Sequence, residues 1–381
     1  MIPLPPSLYL HIPMCAKWCS YCAFYSVERK NWTGWEGKYV SRMQKEIENA
    51  KRLFGGSFST IFVGGGNPLC LSPELLFSLL SAAGMSSETT VEMNPESLDD
   101  SFDILFSSSL VNRISMGIQS LNERTLSVLG RNSSREENIR GIKKAMRLKE
   151  KFGVRVNFDL MTCIPGETME DARNDIDTLL SLSSPDHLSL YALTLEEGTA
   201  LHREVREGNL TPMGDAEQAS MLFSLWDYLQ SQGFEHYEVS NFAKGGAYCQ
   251  HNRRYWELLP YVGIGSHAAS RIPHDGALLD VMNAQSLSSY AEGRVESGYR
   301  TLSLSRTQEM EEFLLVSLRT KWGIRKASFE ERFHSSFDSL FFHEIKKMPS
   351  DEYQNDEDSF FLTNKGIMVM DSIVLALASS L

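Results

Sequence analysis

The sequence predicts an α/β fold: a partial (β/α)6 TIM-like barrel with a C-terminal α+β extension and a small winged-helix-like domain. Three observations predict it. Six short apolar, β-rich runs recur along the first half of the chain, most of them closing on Gly, Asn or Pro. Amphipathic helical stretches separate them. The residues with unusual chemistry fall at the ends of the runs, which is where such a barrel gathers its functional groups.

The runs, in order, are SLYLHI (7–12), TIFVGGG (60–66), TTVEMNP (89–95), NRISMGIQS (112–120), VRVNFDLMTCIPG (154–166) and HLSLYALT (187–194). Between them lie YVSRMQKEIENAKRLF (39–54), SPELLFSLLSAAG (72–84), REENIRGIKKAMRLKEKFG (135–153) and MEDARNDIDTLLSL (169–182). Ser72-Pro73-Glu74 reads as a helix start, a capping serine followed by proline in the first turn. Strands alternating with helices imply a parallel sheet with right-handed crossovers. This barrel is expected over 1–235. A flanking segment rich in aromatics and glycine follows at 236–300. A third part, 301–381, begins with a helix at 305–320. Residues 322–333 resemble the turn and second helix of a helix–turn–helix. After the acidic loop 349–359, a strand pair and a last helix are expected. With that acidic loop, the small domain suits packing or a protein partner better than DNA.

Composition narrows the function classes. The 381 residues carry 49 acidic against 37 basic side chains, a formal net charge of −12, which argues against a nucleic-acid partner. No run of 18 apolar residues predicts a transmembrane helix. The start, MIPLPPSLYLHIP, lacks the basic and long apolar regions of a signal peptide, so a cytoplasmic protein is expected. Six cysteines stand at 15, 19, 22, 70, 163 and 249. A disulfide framework would be denser and the chain shorter. Cys70 and Cys163, set among apolar residues, are expected to be inert core thiols.

Cys15, Cys19 and Cys22 crowd into HIPMCAKWCSYCAF with the spacing C-x3-C-x2-C. Three thiolates on one loop can hold three irons of a [4Fe–4S] cube. The missing fourth thiolate leaves one iron open to chelate the amino and carboxylate groups of S-adenosylmethionine (SAM). Electron donation then cleaves the sulfonium bond and yields a 5′-deoxyadenosyl radical. Structural zinc is the competing reading, but it takes four ligands, usually from paired C-x2-C arms, and only His11 is at hand as a fourth. The glycines at 64–66 end the second run, where bare backbone can approach a ligand closely.

HIPMCAKWCSYCAF, GGGNP, VEMNP, NRISMGIQS, NFDLMTCIPGET and HLSLYALTLEEGT, in that order, resemble the radical SAM family of oxygen-independent coproporphyrinogen III dehydrogenase and its HemW-type haem-chaperone branch. The resemblance runs from about residue 7 to 377. It implies a [4Fe–4S] cluster on Cys15, Cys19 and Cys22. It implies SAM contacts from Tyr9, from Tyr21 just before the third cysteine, from the loop Gly65, Gly66 and Asn67, and from Glu92, Gln119, Arg131 and Asp159. Physically, Glu92 and Asp159 can accept from ribose hydroxyls or the methionine amine, and Arg131 can pair with the SAM carboxylate. The chain departs from the family's pattern at Asn67 (usually threonine), Ser133 (usually histidine) and Thr162-Cys163 (usually tyrosine–glycine), all near the expected site.

Two branches of the family divide on sequence. The dehydrogenase resembles C-x3-C-x2-C-x-C, whereas Phe24 stands at that fourth position here, and it carries a longer segment ahead of the loop than the 14 residues found here. Residues 251–256, HNRRYW, match the HNxxYW motif that the resemblance ties to haem binding. His251 is then the expected haem-binding residue, with the ring packed by neighbouring aromatics. A hydrogen-bonded core histidine is the alternative, and Cys249 is a nearby thiol. The implied partners are haem, a haem-acceptor protein that can be membrane-associated, an electron donor such as flavodoxin or ferredoxin, and a second copy of the chain. The rival activity is oxidative decarboxylation of coproporphyrinogen III, so enzyme and carrier both remain open.

Overall fold

A computed structural model describes residues 6–274, 277–293, 299–302 and 304–381. The chain forms two compact units, Met1–Leu225 with Pro260–Leu302 and Trp226–Leu259 with Ser303–Leu381. The expected flanking segment 236–300 is thus divided. Residues 236–259 go with the C-terminal helices, and 260–302 add strands to the first unit; positions 275–276 and 294–298 of it lie outside the described residues.

In the first unit, all six expected strands form: β1 (Ser7–Ile12), β2 (Thr60–Gly65), β3 (Glu88–Met93), β4 (Arg113–Gln119), β5 (Arg155–Thr162) and β6 (His187–Ala192). They pair in parallel in sequence order, from Leu8 opposite Ile61 through Met161 opposite Tyr191. A seventh parallel strand, β7 (Tyr261–Ile264), pairs with the free side of β1, Tyr9 opposite Gly263. Antiparallel strands β8 (Ala269–His274), β9 (Ala277–Asn283) and β10 (Tyr299–Leu302) follow it. The seventh strand escaped the sequence reading because YVGI is short and sits among glycines.

Helices α1 (Glu36–Phe54), α2 (Pro73–Ala83), α3 (Arg135–Phe152) and α4 (Met169–Leu182) lie between the strands in sequence. Ser72 caps α2 through Leu75 N–H, with proline at the start as expected. Ser134 with Glu137, and Thr168 with Asp171, make reciprocal capping boxes on α3 and α4. In β1, Leu8, Leu10 and Ile12 alternate on one face with no exposed surface, and Tyr9 and His11 share the other. Burial on both faces is the mark of a parallel sheet covered by helices.

In the second unit, helix Arg306–Leu318, strand Ile324–Arg325, helices Lys326–Phe333 and Phe337–Ile345, and strands Tyr353–Asn355 and Ser359–Leu362 follow in winged-helix order. Phe329, Phe333, Phe337, Phe341 and Phe360 form its core. The helix Gln250–Trp256 belongs to this unit. Among the described residues no helix is long and apolar enough to cross a membrane.

Candidate functional site

The cysteine loop leaves β1 and is pinned from three sides of the first unit. Val27 N–H donates to Pro13 O, Ser20 N–H to Leu129 O, and Leu201 N–H to Ser20 O. Trp32 Nε1 donates to Cys15 O at 3.0 Å. The glycine run after β2 packs on the loop's entry: Gly66 N–H donates to Ile12 O and Asn67 N–H to Met14 O, both at 2.8 Å. A Cβ on Gly66 would lie 2.6 Å from Met14 O and 3.0 Å from Cys15 Sγ. One on Gly65, at φ +107°, would lie 2.4 Å from the His11 ring. These two glycines therefore admit the loop itself. Asn67, in the family's threonine position, is buried; it caps the turn Pro68–Cys70 through Leu69 N–H and donates to Ser97 Oγ at 2.6 Å.

Cys15, Cys19 and Cys22 lie within electrostatic reach of one another. Burial pushes the Cys15 thiol up to about 12 and raises Cys22 in the same direction. Iron must displace these protons, which couples its binding to pH. Cys70 is not the ordinary core thiol expected from sequence. It is half-buried, its charge is felt at Cys15, and the Ala16 backbone N–H donates to it, because the Pro68–Cys70 turn folds onto the loop. Among the described residues, no three His, Cys, Asp or Glu side chains are gathered tightly enough for one metal ion. A cube spreads its thiolates over separate irons, so the loop's donor set fits a cluster rather than a single zinc.

Beside the loop, the strand ends carry a chain of polar contacts. Tyr9 Oη and His11 Nδ1 are 2.8 Å apart, and His11 Nε2 is 3.1 Å from Tyr25 O. Burial lowers His11 to about 4 and raises the Tyr9 phenol, with Glu92 adding to the second shift. Gly65 N–H donates to Glu92 Oε2 at 3.1 Å. Glu92, Ser115 and Asn157 stand opposite one another on β3, β4 and β5. Ser115 Oγ and Asn157 Nδ2 both donate to Asp159, at 3.0 and 2.8 Å. Burial, and then repulsion from Asp159, raises Glu92 to about 7; burial raises Asp159 as well. Two half-buried carboxylates that repel one another favour a cationic ligand, and SAM carries an ammonium and a sulfonium. The residues present fit both the cluster and SAM.

Arg131 lies against the cysteine loop. Its Nη2 donates to Gly117 O at 2.7 Å and Asn94 Oδ1 at 3.2 Å, and Nη1 reaches Cys19 Sγ at 3.5 Å. Tyr21 also bonds to it. The guanidinium ties β4 to the cysteine loop. Gln119 takes a left-handed φ of 65°, where the register slips between Gly117 and Gln119. Sequence reasoning named His11 only as a possible zinc ligand and passed over Asn94 as part of this site. The two-residue spacing of Tyr9 and His11, which puts both on one strand face, was the signal for His11. Phe24, at the dehydrogenase's fourth-cysteine position, is 76% exposed.

His251 is held otherwise. It is fully buried, its Nε2 lies 2.8 Å from Tyr255 Oη one turn along the same helix, and the two rings meet edge to face at 4.9 Å. Burial lowers it to about 3. Cys249 precedes that helix and is buried too.

Comparison with known proteins accords with this geometry. The radical SAM superfamily matches residues 9–179, and the HemN C-terminal domain matches 304–369. The chain is 31% identical to the heme chaperone HemW of Lactococcus lactis subsp. lactis (strain IL1403), over 98% of this chain and 97% of that one. It is 34% identical to the mitochondrial radical S-adenosyl methionine domain-containing protein 1 of Danio rerio, over 85% and 75%. Among solved structures, coproporphyrinogen III oxidase (HemN) from Escherichia coli superimposes with a TM-score of 0.81 at 21% identity, covering 100% of this chain and 92% of that one, which establishes a shared fold.

Proposed function

Because this chain belongs to the HemW family of radical SAM proteins, we propose that it is a haem chaperone, a cytoplasmic protein that binds haem and delivers it to haem-requiring proteins. The observation that carries the radical SAM part is the convergence of three loop thiols on a strand end where the half-buried Glu92 and Asp159 lie within electrostatic reach of one another. Cys15, Cys19 and Cys22 would hold the cluster, with Arg131 fixing Cys19 from behind. Tyr9, Tyr21, Gly65, Gly66, Asn67, Glu92, Gln119 and Asp159 would shape the SAM site. Glu92 and Asp159 would meet its cationic groups and the glycine turn would leave its approach clear. The cluster, when bound, supplies electrons at the SAM sulfonium, received from a flavodoxin- or ferredoxin-type donor.

Phe24 favours the carrier over the dehydrogenase. An exposed phenyl ring supplies apolar surface where that enzyme has a fourth thiol, and it cannot ligate metal. The haem part rests on the relatives and on the aromatic-rich helix Gln250–Trp256. His251 serves that helix as an internal anchor in the described conformation, since ligation through Nε2 requires the Tyr255 bond to open. The test is anaerobic reconstitution followed by two assays on the same preparation. We expect haem to bind and pass to an apo-acceptor, and coproporphyrinogen III to remain unchanged with SAM and a strong reductant. Formation of vinyl groups from coproporphyrinogen would establish the enzyme reading instead.

A further inference from the structure

The second unit holds a half-open cavity of about 400 Å³, a volume in the range of small-molecule sites. Its wall joins the helix Gln250–Trp256 to the winged-helix elements through Arg253, Trp256, Glu257, Phe313, Trp322 and Arg325. Two indoles and a phenyl ring are a large aromatic area for one small cavity, and aromatic walls bind flat π-systems. The cations are set against those walls. The Arg253 guanidinium lies 4.6 Å from the Trp322 ring centre, and that of Arg319 lies 4.9 Å from Trp256.

The hydrogen bonding of this wall is incomplete. Trp256 Nε1 and Arg253 Nε are buried and have no acceptor among the described residues. Buried donors of this kind ordinarily find partners. Arg325 is exposed and has no carboxylate partner among the described residues, whereas Arg253 is held by Glu257 at 3.1 Å. The cavity therefore offers π-faces, spare N–H donors and one free guanidinium, with a second guanidinium restrained by a carboxylate that a ligand anion can displace.

We propose that this cavity is a binding site for a planar aromatic macrocycle bearing carboxylates, with Trp256 and Trp322 against the ring and Arg253 and Arg325 on the acid groups. The proposal rests on the haem-handling reading and deepens it. It moves recognition from a metal bond at the enclosed His251 to the ring and its side-chain acids, on residues beyond the histidine. Arg–carboxylate pairs are directional and charge-assisted, so they select the acid form of a macrocycle over its esters. Metal content is then secondary to binding.

The experiment uses the full, anaerobically reconstituted chain and three probes: haem, iron-free protoporphyrin IX, and protoporphyrin IX dimethyl ester. Wild-type protein should bind the first two with similar affinity and the ester about tenfold more weakly, the scale of one charge-assisted hydrogen bond. Arg325→Glu, a change at an exposed site, should weaken haem and protoporphyrin IX by about tenfold or more. Glu257→Gln should tighten both by freeing Arg253, a gain that damage to the fold cannot produce. Haem binding by the wild type that stays the same in Arg325→Glu, Arg253→Gln and Glu257→Gln overturns this site and leaves the haem-chaperone reading standing. Failure of the wild type to bind any of the three probes overturns both.

Discussion

The cysteine loop and the helix Gln250–Trp256 were both marked by motifs, and they turn out to be built in opposite ways. At the loop, residues from five strands and the segments after them meet in space, and their electrostatics are unresolved. Glu92 and Asp159 repel one another, and the thiols are half-buried and able to exchange protons for metal. At the helix, the motif's histidine is complete in itself, with its ring enclosed and its Nε2 engaged by Tyr255. A site that awaits a ligand keeps unsatisfied charge or unsatisfied donors; a core residue has had both removed. By that criterion Trp256 and Arg253, with the exposed Arg325 beside them, are waiting groups of the second unit's cavity, and His251 is not.

The largest test of this contrast is loss of a thiol. Cys15→Ala, Cys19→Ala or Cys22→Ala should each take bound iron from about four per chain to none after anaerobic reconstitution. Cys163→Ala should keep full iron. Cys70→Ala should keep it too, since Cys70 touches the loop from the neighbouring turn without belonging to its C-x3-C-x2-C set. Iron retained by all three loop variants would show that the loop is not the ligand set.

Next in size is the carboxylate pair. Glu92→Gln or Asp159→Asn should weaken SAM by roughly tenfold to a hundredfold, the worth of one charge-assisted contact, with the cluster's absorption unchanged. SAM should also bind wild-type protein less well below pH 7, where Glu92 must first lose its proton, whereas Glu92→Gln should be flat across that range. SAM-free stability shows the same group with the opposite benefit. Glu92 holds its proton to about 7 when folded, against an ordinary 4.5. Its contribution to folding is therefore full below 4.5 and lost as pH rises through 7, about 3 kcal/mol in all. Glu167, raised to about 7, and Asp175, raised to about 6, act in the same direction, so the comparison is between wild type and variant at each pH. Identical stability profiles for wild type and Glu92→Gln between pH 4.5 and 8 would remove Glu92 from this role.

What sequence could and could not tell follows the same division. Apolar, β-rich runs and amphipathic helical patterns located β1 through β6 and α1 through α4, because each buries a continuous, regular stretch. Residues 261–264 carry too few side chains to show a period, and only their pairing with β1 makes them a strand. The loop's chemistry was legible because thiol spacing along one chain segment is itself geometry. The task of Arg131 was not, since its partners Gly117, Asn94 and Cys19 come from three separate segments. At 162–163 the departure from tyrosine–glycine acquires a physical meaning. Cys163 sits at φ +63°, a left-handed conformation that glycine takes freely and cysteine only under strain. The cavity beside Trp256 was invisible for a related reason: Arg253 and Trp256 fall within the 251–256 motif, but most of its lining, from Phe313 to Ser328, comes from separate segments that carry no motif.

The smallest expected effect separates the two readings of His251 most sharply, and it is a change at its neighbour. Tyr255→Phe removes the hydroxyl that engages His251 Nε2 and leaves both rings in place. If His251 were the axial ligand of haem, that hydroxyl would be an obstacle to be broken before each binding event. Its removal would then tighten haem and, with a freer imidazole, alter the Soret band. If His251 anchors the helix, Tyr255→Phe instead costs about 1 kcal/mol of stability, the net worth of one hydrogen bond, while haem affinity and the Soret maximum stay where they were. We expect the second result. His251→Ala should follow the same pattern with a larger loss, about 1–3 kcal/mol, because it also leaves the Tyr255 hydroxyl without this partner. Thermal unfolding and haem titration on the same two variants give the answer. Haem binding that tightens in Tyr255→Phe and vanishes in His251→Ala at unchanged stability would return the axial role to His251.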